Sequence, residues 1–135
     1  MERFVGKVDK GWGYEIIWAN HEDYCGKFLV FEKEGSKFSM HFHKNKTETW
    51  FVNQGQFRLF YCDTETAEYK EKILQMGETW TNKPLQPHQL EALSPGATII
   101  EVSTTDEPED NFRIIPGDSQ KKESNAESNA DSNAK

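Results

Sequence analysis

The stretch GSKFSMHFHKNKTETWFVNQG, residues 35–55, contains two of the four histidines in this chain of 135 residues. His41 and His43 are separated by one residue, Glu48 follows in the same stretch, and a glycine stands at each end. This grouping raises the question of whether the stretch is an ordinary polar strand or one half of a metal site.

Alternation along a strand would place the two histidines together. If residues 38–43 are extended, Phe38, Met40 and Phe42 point to one face while His41 and His43 point to the other. A second strand over residues 48–52 would then aim a carboxylate at the same point, and imidazole and carboxylate groups are typical ligands of transition metals. A half-exposed strand with a polar face shows the same alternation, so the spacing alone leaves both interpretations open.

A third histidine favours the metal site. His88 lies in PLQPHQLEA, residues 84–92, after a proline-rich turn and where another strand is predicted to begin. Three of the four histidines thereby occupy plausible inward positions of one small β domain.

The rest of the chain predicts an all-β sandwich or barrel. Short runs rich in β-branched and aromatic residues alternate with turn formers, and no helical period is sustained. Ten strands are predicted, over residues 14–19, 27–32, 37–43, 48–53, 56–61, 71–76, 78–82, 88–93, 98–103 and 111–115. Residues 63–72 are compatible with either a hairpin loop or a single helical turn.

Length and composition exclude several classes of partner. A chain of this length is expected to form one domain, over residues 1–119, followed by a disordered tail at 120–135 with repeated Ser-Asn-Ala. The net charge of −7 and the lack of a basic stripe argue against nucleic acid and anionic membranes as partners. Cys25 and Cys62 are too few for a disulfide framework, and no apolar run reaches the length of a signal peptide or membrane span. We therefore expect a cytoplasmic protein with free thiols.

The histidine motif resembles that of a known superfamily. The spacing Gly-x5-His-x-His-x4-Glu-x6-Gly, from Gly35 to Gly55, resembles the first motif of the cupins. Residues 77–92 resemble the second cupin motif in part, because Lys83, Leu85 and Ala92 stand where that motif has Pro, Gly and Asn. The resemblance implies a double-stranded β-helix, or jelly roll, that binds one divalent transition metal (Zn, Mn, Fe or Ni). The implied ligands are His41, His43, Glu48 and His88.

A narrower resemblance covers residues 11–113. Trp12-Gly13, Lys27, FSMHFHKNKTETW and EVSTTDEPEDNFRI look like the cupin domain of type II mannose-6-phosphate isomerases. Those relatives have Gln at the position of His41, and their cupin domain usually follows a nucleotidyltransferase domain, for which this chain is too short. The resemblance implies that Lys27 and Arg113 bind the phosphate or hydroxyls of a substrate. The alternative for both is a solvated surface charge.

Trp50 has two interpretations. It lies two residues after Glu48 and so on the same strand face, where it could form an apolar wall for a sugar ring. A tryptophan of the hydrophobic core is the alternative.

Three functions are compatible with these features. The leading hypothesis is a metal-dependent isomerase of a sugar or sugar phosphate, which interconverts aldose and ketose; the sequence identifies no general base for it. The alternatives are an Fe(II)-dependent dioxygenase or metal-dependent lyase of cupin type, and a non-catalytic sugar-binding cupin. A homodimer is also expected, in which the apolar residues 14–19 cover a sheet edge.

Overall fold

The computed structural model describes residues 2–121, and these residues are almost entirely β structure. Their strands are β1 (Gly6–Lys10), β2 (Gly13–Asn20), β3 (Cys25–Phe31), β4 (Met40–Phe42), β5 (Glu48–Gln54), β6 (Gln56–Asp63), β7 (Glu68–Gln75), β8 (Thr79–Asn82), β9 (His88–Ala92), β10 (Ala97–Ser103) and β11 (Phe112–Ile115). A single helical turn at residues 118–121 follows the last strand. No helix of the described residues is long and apolar enough to cross a membrane.

The strands form two antiparallel sheets. The six-stranded sheet has the order β1-β2-β3-β10-β5-β8, and the five-stranded sheet has the order β11-β4-β9-β6-β7. Consecutive strands often lie in different sheets, as β4 and β5 do, so the chain crosses between the sheets as it does in a jelly roll. The prediction of an all-β domain is confirmed.

The core fills the space between the two sheets. Strand alternation sends every second side chain inward, so Ile99 of β10 is fully buried while its neighbours are partly exposed. Trp12 packs within this core and stacks on Phe31, with ring centroids 4.6 Å apart. The fully buried apolar side chains of the core are Phe31, Val52, Phe57, Leu59, Leu90, Ala92, Ala97 and Ile99.

The structure adds one strand, shortens another, and decides between the two alternatives predicted for residues 63–72. β1 was not predicted, because Val8 is the only large apolar residue in GKVDK. Residues 63–72 form a hairpin between β6 and β7 that turns at Ala67, where φ is 61°. The strand predicted over 37–43 contains only three residues, and Lys37 makes an isolated bridge to Glu91 instead.

This shortening makes the predicted face of Phe38 wrong. The chain is irregular at residues 38 and 39, so alternation is broken before β4 begins. Phe38 therefore lies in the core on the same side as His41, with the two rings 5.2 Å apart.

Residues 14–19 do not lie at a sheet edge. They belong to β2, which is paired with β1 on one side and β3 on the other. The prediction that they cover an edge is wrong, because GKVDK adds a strand outside them.

The predicted boundary at residue 119 falls within the helical turn at 118–121. Asp118 accepts a hydrogen bond from the backbone of Lys37, and Ser119 accepts one from Gly11, so this turn is tied to the sheets. Of the predicted tail, 120–135, all but Gln120 and Lys121 lie outside the described residues.

Candidate metal centre

Three histidines meet at the inner side of the five-stranded sheet. His41 of β4 is paired directly with His88 of β9, and His43 follows the end of β4. One ring nitrogen from each of the three lies within 4.8 Å of the others. The structure thus brings together all three histidines that the sequence indicated as ligands.

Hydrogen bonds from Nδ1 to the backbone orient all three imidazole rings in the same way. Each Nδ1 donates to a backbone carbonyl: His41 to Ser39 at 2.8 Å, His43 to Asp110 at 2.6 Å, and His88 to Gln86 at 2.9 Å. These bonds assign the proton of the neutral imidazole to Nδ1 and leave the Nε2 lone pair free. A carbonyl bonded to the non-ligating nitrogen is the usual way in which a protein orients a histidine ligand.

Glu48 reaches the same point from the opposite sheet. It is the first residue of β5, and its Oε1 lies 2.8 Å from Nε2 of His88 and 3.5 Å from Nε2 of His43. The Nε2 of His88 is buried and has no hydrogen-bond partner in the described part of the chain. An Nε2 atom and a carboxylate oxygen at this distance can share a proton or act as neighbouring ligands of one metal ion. The donor set of imidazole and carboxylate therefore fits a transition metal.

The ionisation of these groups follows from their burial and their neighbours. Burial and the two neighbouring imidazoles keep the pKa of His41 well below its ordinary value. Burial also acts to lower the pKa of His43, but the hydrogen bond and the charge of Glu48 raise it by more. Burial acts to raise the pKa of Glu48, and the charge of Lys46 together with the contacts to His88 and His43 outweighs it, so the pKa of this carboxyl lies well below its ordinary range.

A network of buried charges lies next to the histidines. Lys46 Nζ is 2.9 Å from Asp106, 3.5 Å from Glu48 and 3.5 Å from Glu101. Lys27 Nζ lies 3.6 Å from Asp106, 3.7 Å from Glu15 and 4.0 Å from Glu101. Two lysines thus face four carboxylates, which is a net charge of −2 when all six groups are ionised.

Glu101 has the most perturbed environment in this network. Burial and the nearby charge of Glu48 raise its pKa to about 7, against the opposing charges of Lys46 and Lys27. Its Oε1 accepts a hydrogen bond from Nε1 of Trp50 at 2.9 Å. Glu48 and Glu101, two carboxyl groups of one buried site, therefore lose their protons at different pH values.

Sequence reasoning missed the functional candidates Glu101, Lys46 and Asp106. Alternation in ATIIEVS could have identified Glu101, because Ala97, Ile99 and Ser103 share its face. Lys46 and Asp106 lie in connections between strands, where side-chain direction has no period. No sequence signal marks them as inward.

A cavity of about 1080 Å³ opens onto the histidines and the charge network. Lys27 and Trp50 both line it, although each is almost completely buried. Trp50 is 1% exposed and packs its ring edge-to-face against His88, so it belongs to the core as well as to the cavity wall. Arg113 is paired with His41 across β11 and β4 and lies exposed at the rim, with no ion pair among residues 2–121.

The turn before His88 has the backbone conformation that a glycine would favour. Leu85 adopts φ of 68°, and its N–H donates to the carbonyl of His43 at 2.6 Å. Leu85, which stands where the second cupin motif has glycine, therefore adopts a backbone conformation that glycine can also adopt. Its hydrogen bond links His43 to the segment that carries His88.

Comparison with known proteins identifies the fold. No protein-family model and no curated protein matches the chain. Among solved structures, KdgF from Halomonas sp. matches with a TM-score of 0.62 and 19% identity, over 71% of this chain and 81% of its own. Oxalate decarboxylase from Bacillus subtilis matches with a TM-score of 0.71 and 21% identity, over 82% of this chain and 30% of its own. CapF, in a structure with the inhibitor 3-isopropenyl-tropolone, matches with a TM-score of 0.71 and 16% identity, over 84% of this chain and 35% of its own.

These neighbours are cupin-fold proteins, and the chain has the cupin-type double-stranded β-helix. It spans about a third of the length of the oxalate decarboxylase and CapF chains. The three-histidine group is a candidate metal site within this fold. The narrower resemblance to mannose-6-phosphate isomerases remains a prediction.

Proposed function

We propose that the protein is a metal-dependent enzyme acting on a small sugar or sugar derivative, with aldose–ketose isomerisation as the leading reaction. The observation that carries the proposal is the convergence of three Nδ1-anchored imidazoles on a cavity that also contains buried carboxylates and lysines. His41, His43, His88 and Glu48 would hold one divalent metal. Such a metal supplies Lewis acidity toward adjacent substrate oxygens.

Glu101 is the residue we assign to proton transfer. It lines the cavity and is not one of the four residues assigned to the metal, so its carboxyl would remain available to a substrate. Trp50 Nε1 fixes one of its oxygens at 2.9 Å and leaves the other toward Lys27 and Lys46. A positioned carboxylate within reach of the substrate is the group that an isomerase needs to move a proton between adjacent carbons.

The charge balance favours a neutral sugar in the deep part of the cavity. Lys27 Nζ has three carboxylates within 4.0 Å, so its charge is already opposed. Two lysines and four carboxylates together with a divalent cation would sum to zero. Hydroxyl groups can both donate to and accept from such a set, whereas a phosphate dianion would add two negative charges that nothing in the set balances.

Arg113 is the better candidate for an anionic group on the substrate. It lies at the rim, exposed and outside the buried network. A guanidinium binds phosphate oxygens in pairs, and it retains its charge at every relevant pH. A sugar phosphate would accordingly enter with its phosphate outward.

The names of the structural neighbours are compatible with this proposal. CapF binds a tropolone inhibitor, and the adjacent hydroxyl and carbonyl oxygens of a tropolone resemble those of a ketose. Oxalate decarboxylase acts on a small acid with adjacent oxygens, which keeps a metal-dependent lyase as the second candidate.

The experiment is a turnover screen on the metal-loaded protein, with sugars and sugar phosphates as substrates and elemental analysis as the parallel measurement. We expect isomerisation, and Glu101→Gln should lower kcat by about 100-fold or more while the metal content stays at one per chain. Glutamine keeps an oxygen for the bond from Trp50, so the fold of this variant should be intact.

Two further variants separate the roles of the cations. Arg113→Ala should raise KM for phosphorylated substrates and leave unphosphorylated ones unaffected, whereas Lys27→Ala should raise KM for both more than it lowers kcat. Metal-loaded protein that consumes oxygen or cleaves a small acid, and isomerises no sugar, would replace the proposal with the dioxygenase or lyase alternative. Sugar binding without any turnover would indicate a non-catalytic cupin.

A further inference from the structure

Asn82 is a polar side chain buried beside the candidate metal ligands, although it is not one of them. It is the last residue of β8, and it is 1% exposed. Strand pairing places it directly opposite Glu48, the first residue of β5. Burial of an amide costs free energy unless both of its ends find partners, so the partners of Asn82 indicate its role.

Both ends of the Asn82 amide have a hydrogen-bond partner. Its Oδ1 accepts a bond from Nε1 of Trp80 at 2.8 Å. Its Nδ2 donates to Oε1 of Glu48 at 3.3 Å. An indole N–H can only donate, so it assigns the carbonyl end of the amide to Trp80 and leaves the NH2 end for the carboxylate. Trp80 therefore sets the orientation of Asn82.

The bond from Asn82 reaches the carboxylate oxygen that faces the histidines. This atom, Oε1 of Glu48, lies 2.8 Å from Nε2 of His88 and 3.5 Å from Nε2 of His43. The other oxygen, Oε2, faces Nζ of Lys46 at 3.5 Å. The two oxygens of Glu48 thus have different neighbours, and Asn82 contacts the one that is available to a metal.

Packing holds the indole of Trp80 in place. Its ring lies against that of Tyr61 with centroids 4.7 Å apart, and Nζ of Lys72 lies 5.6 Å from its centroid. Trp80 is also paired across the strands with Trp50, whose own ring packs against His88. A ring that is held on several sides presents its N–H in a fixed direction.

The chain after Asn82 continues into the turn that contacts two other ligands. The backbone N–H of Leu85 donates to the carbonyl of His43 at 2.6 Å, and the carbonyl of Gln86 accepts a bond from Nδ1 of His88 at 2.9 Å. One short segment thereby contacts three of the four proposed ligands. Support of several ligands by one continuous segment favours a role in positioning them.

We propose that Asn82 is a positioning residue for the metal ligand Glu48, and that Trp80 orients Asn82 for this role. The role rests on the metal centre of the proposed function, but it does not depend on which reaction that centre catalyses. Residues that hydrogen-bond to a metal ligand orient it, and their loss typically weakens metal binding by about 10–100-fold. A neutral amide suits this position, because it donates to the carboxylate without neutralising the charge that the metal needs.

Support of the strand alone is the alternative role for Asn82. β8 is the edge strand of its sheet, so a hydrogen bond at its last residue would also secure the strand end. Thr81 provides the matched comparison, since it lies between Trp80 and Asn82 but faces the opposite side of the sheet. Its hydroxyl shares a hydrogen bond of 2.9 Å with that of Thr49, across the same two strands.

The test is titration of the full chain and its variants with cobalt(II), followed by visible absorption spectra of the loaded proteins. Asn82→Ala should raise the dissociation constant by about 10–100-fold and change the absorption bands, because Glu48 is no longer held. Trp80→Phe retains an aromatic ring but removes the N–H, so it should weaken binding by a smaller factor. Thr81→Val should match the wild type in affinity and spectrum. Circular dichroism should show that all three variants fold.

A double variant tests whether Trp80 acts through Asn82. In protein that already carries Asn82→Ala, Trp80→Phe should have no further effect on the dissociation constant, because the amide that it orients is gone. Two effects that multiply would overturn the role assigned to Trp80.

The remaining outcomes separate this role from the metal centre and from the reaction. Asn82→Ala protein with the affinity and spectrum of Thr81→Val would overturn the positioning role and leave the metal centre intact, even if both variants were weakened equally. A wild type that binds no cobalt(II) would overturn both. The expected cobalt(II) results without turnover of any sugar would support the positioning role and count against the proposed reaction.

Discussion

His88 is the residue on which the metal site depends most clearly. Its Nε2 is buried without a hydrogen-bond partner and faces a carboxylate oxygen, while its Nδ1 is held by a carbonyl. We predict that His88→Ala weakens metal binding by about 100-fold or more, since one ligand and the link between the sheets are lost together. Elemental analysis after dialysis against a chelator measures the effect.

The fourth histidine provides the matched control. His21 is exposed in a loop, packed against Tyr24 with ring centroids 4.7 Å apart. His21→Ala should retain one metal per chain. Full occupancy in His88→Ala would show that the site has been assigned to the wrong ligands.

Asp110 supports the site through the backbone and gives a prediction about pH. Its carboxylate accepts hydrogen bonds from the N–H groups of Lys44, Asn45 and Lys46, at 2.6, 3.1 and 3.2 Å. Partial burial acts to raise its pKa, but these backbone bonds and the charge of His43 lower it by more. A carboxyl with a lowered pKa in the folded state stabilises the protein above its unfolded pKa of about 3.9, and this stabilisation is lost as pH falls through the folded value.

We therefore predict that Asp110→Asn lowers the free energy of unfolding at pH 7 by about 1–2 kcal/mol. The difference from the wild type should shrink below about pH 4, where the wild-type carboxyl becomes protonated too. Urea unfolding at several pH values measures both quantities. A difference that stays constant down to the lowest accessible pH would contradict this role of the charge.

At the scale of elements, the turn before β9 has Leu85 at the position where the second cupin motif has glycine. Leu85 is 57% exposed and adopts φ of 68°, a conformation that costs about 1–2 kcal/mol for a residue with a side chain. Glycine removes that strain, although it adds about 0.5–1 kcal/mol of entropy to the unfolded chain. Leu85→Gly should therefore raise the free energy of unfolding by up to about 1 kcal/mol.

Met76→Gly provides the comparison for that turn. Met76 is 69% exposed and does not share the positive φ of Leu85, so glycine there brings the entropic cost without relief of strain. Its expected effect is a loss of about 0.5–1 kcal/mol. If both variants lose the same stability, the turn at Leu85 carries no strain.

The elements also show what a sequence can and cannot predict. Period-two alternation predicted that Trp50 shares one face of β5 with Glu48, and both side chains are buried. The same rule misplaced Phe38, since it assumes an extended chain and residues 38–39 are irregular. It overlooked β1, which is held by its pairing with β2 rather than by apolar side chains of its own.

For the candidate site, the motif spacing predicted the histidine and glutamate residues. It did not predict the residues that long-range packing brings to the cavity. His41, His43 and Glu48 lie close in the chain, so their spacing relates directly to the geometry of two strands. Lys46 and Asp106 are 60 residues apart, and their contact at 2.9 Å depends on how the connections fold over the cavity. Local patterns cannot encode such a contact.

At the scale of the molecule, the two sheets have separate roles. Their facing surfaces hold the histidines, the buried charges and the cavity, with ligands contributed from both sides: His88 from one sheet and Glu48 from the other. On the outer surface of the six-stranded sheet, the charged side chains lie on its edge strand β1, at Lys7 and Asp9, whereas the outer surface of the five-stranded sheet carries Arg58 and Glu71. A bound metal would cross-link the sheets, so metal binding and global stability should be coupled.

That coupling should depend on pH. Without metal, the raised pKa of His43 means that this group stabilises the fold below the unfolded value of about 6.5, and the stabilisation is lost as pH rises through the folded value. Metal binding requires the neutral imidazole, so a proton at His43 competes with the metal as pH falls. We predict that a metal concentration 100 times the dissociation constant at pH 8 raises the free energy of unfolding by about 2.7 kcal/mol at pH 8, and that the same concentration raises it by clearly less at pH 6. Thermal unfolding of chelator-treated and metal-loaded protein at both pH values measures the difference, with His21→Ala as the control that should match the wild type. A gain that is equal at the two pH values would show that His43 does not exchange a proton for the metal.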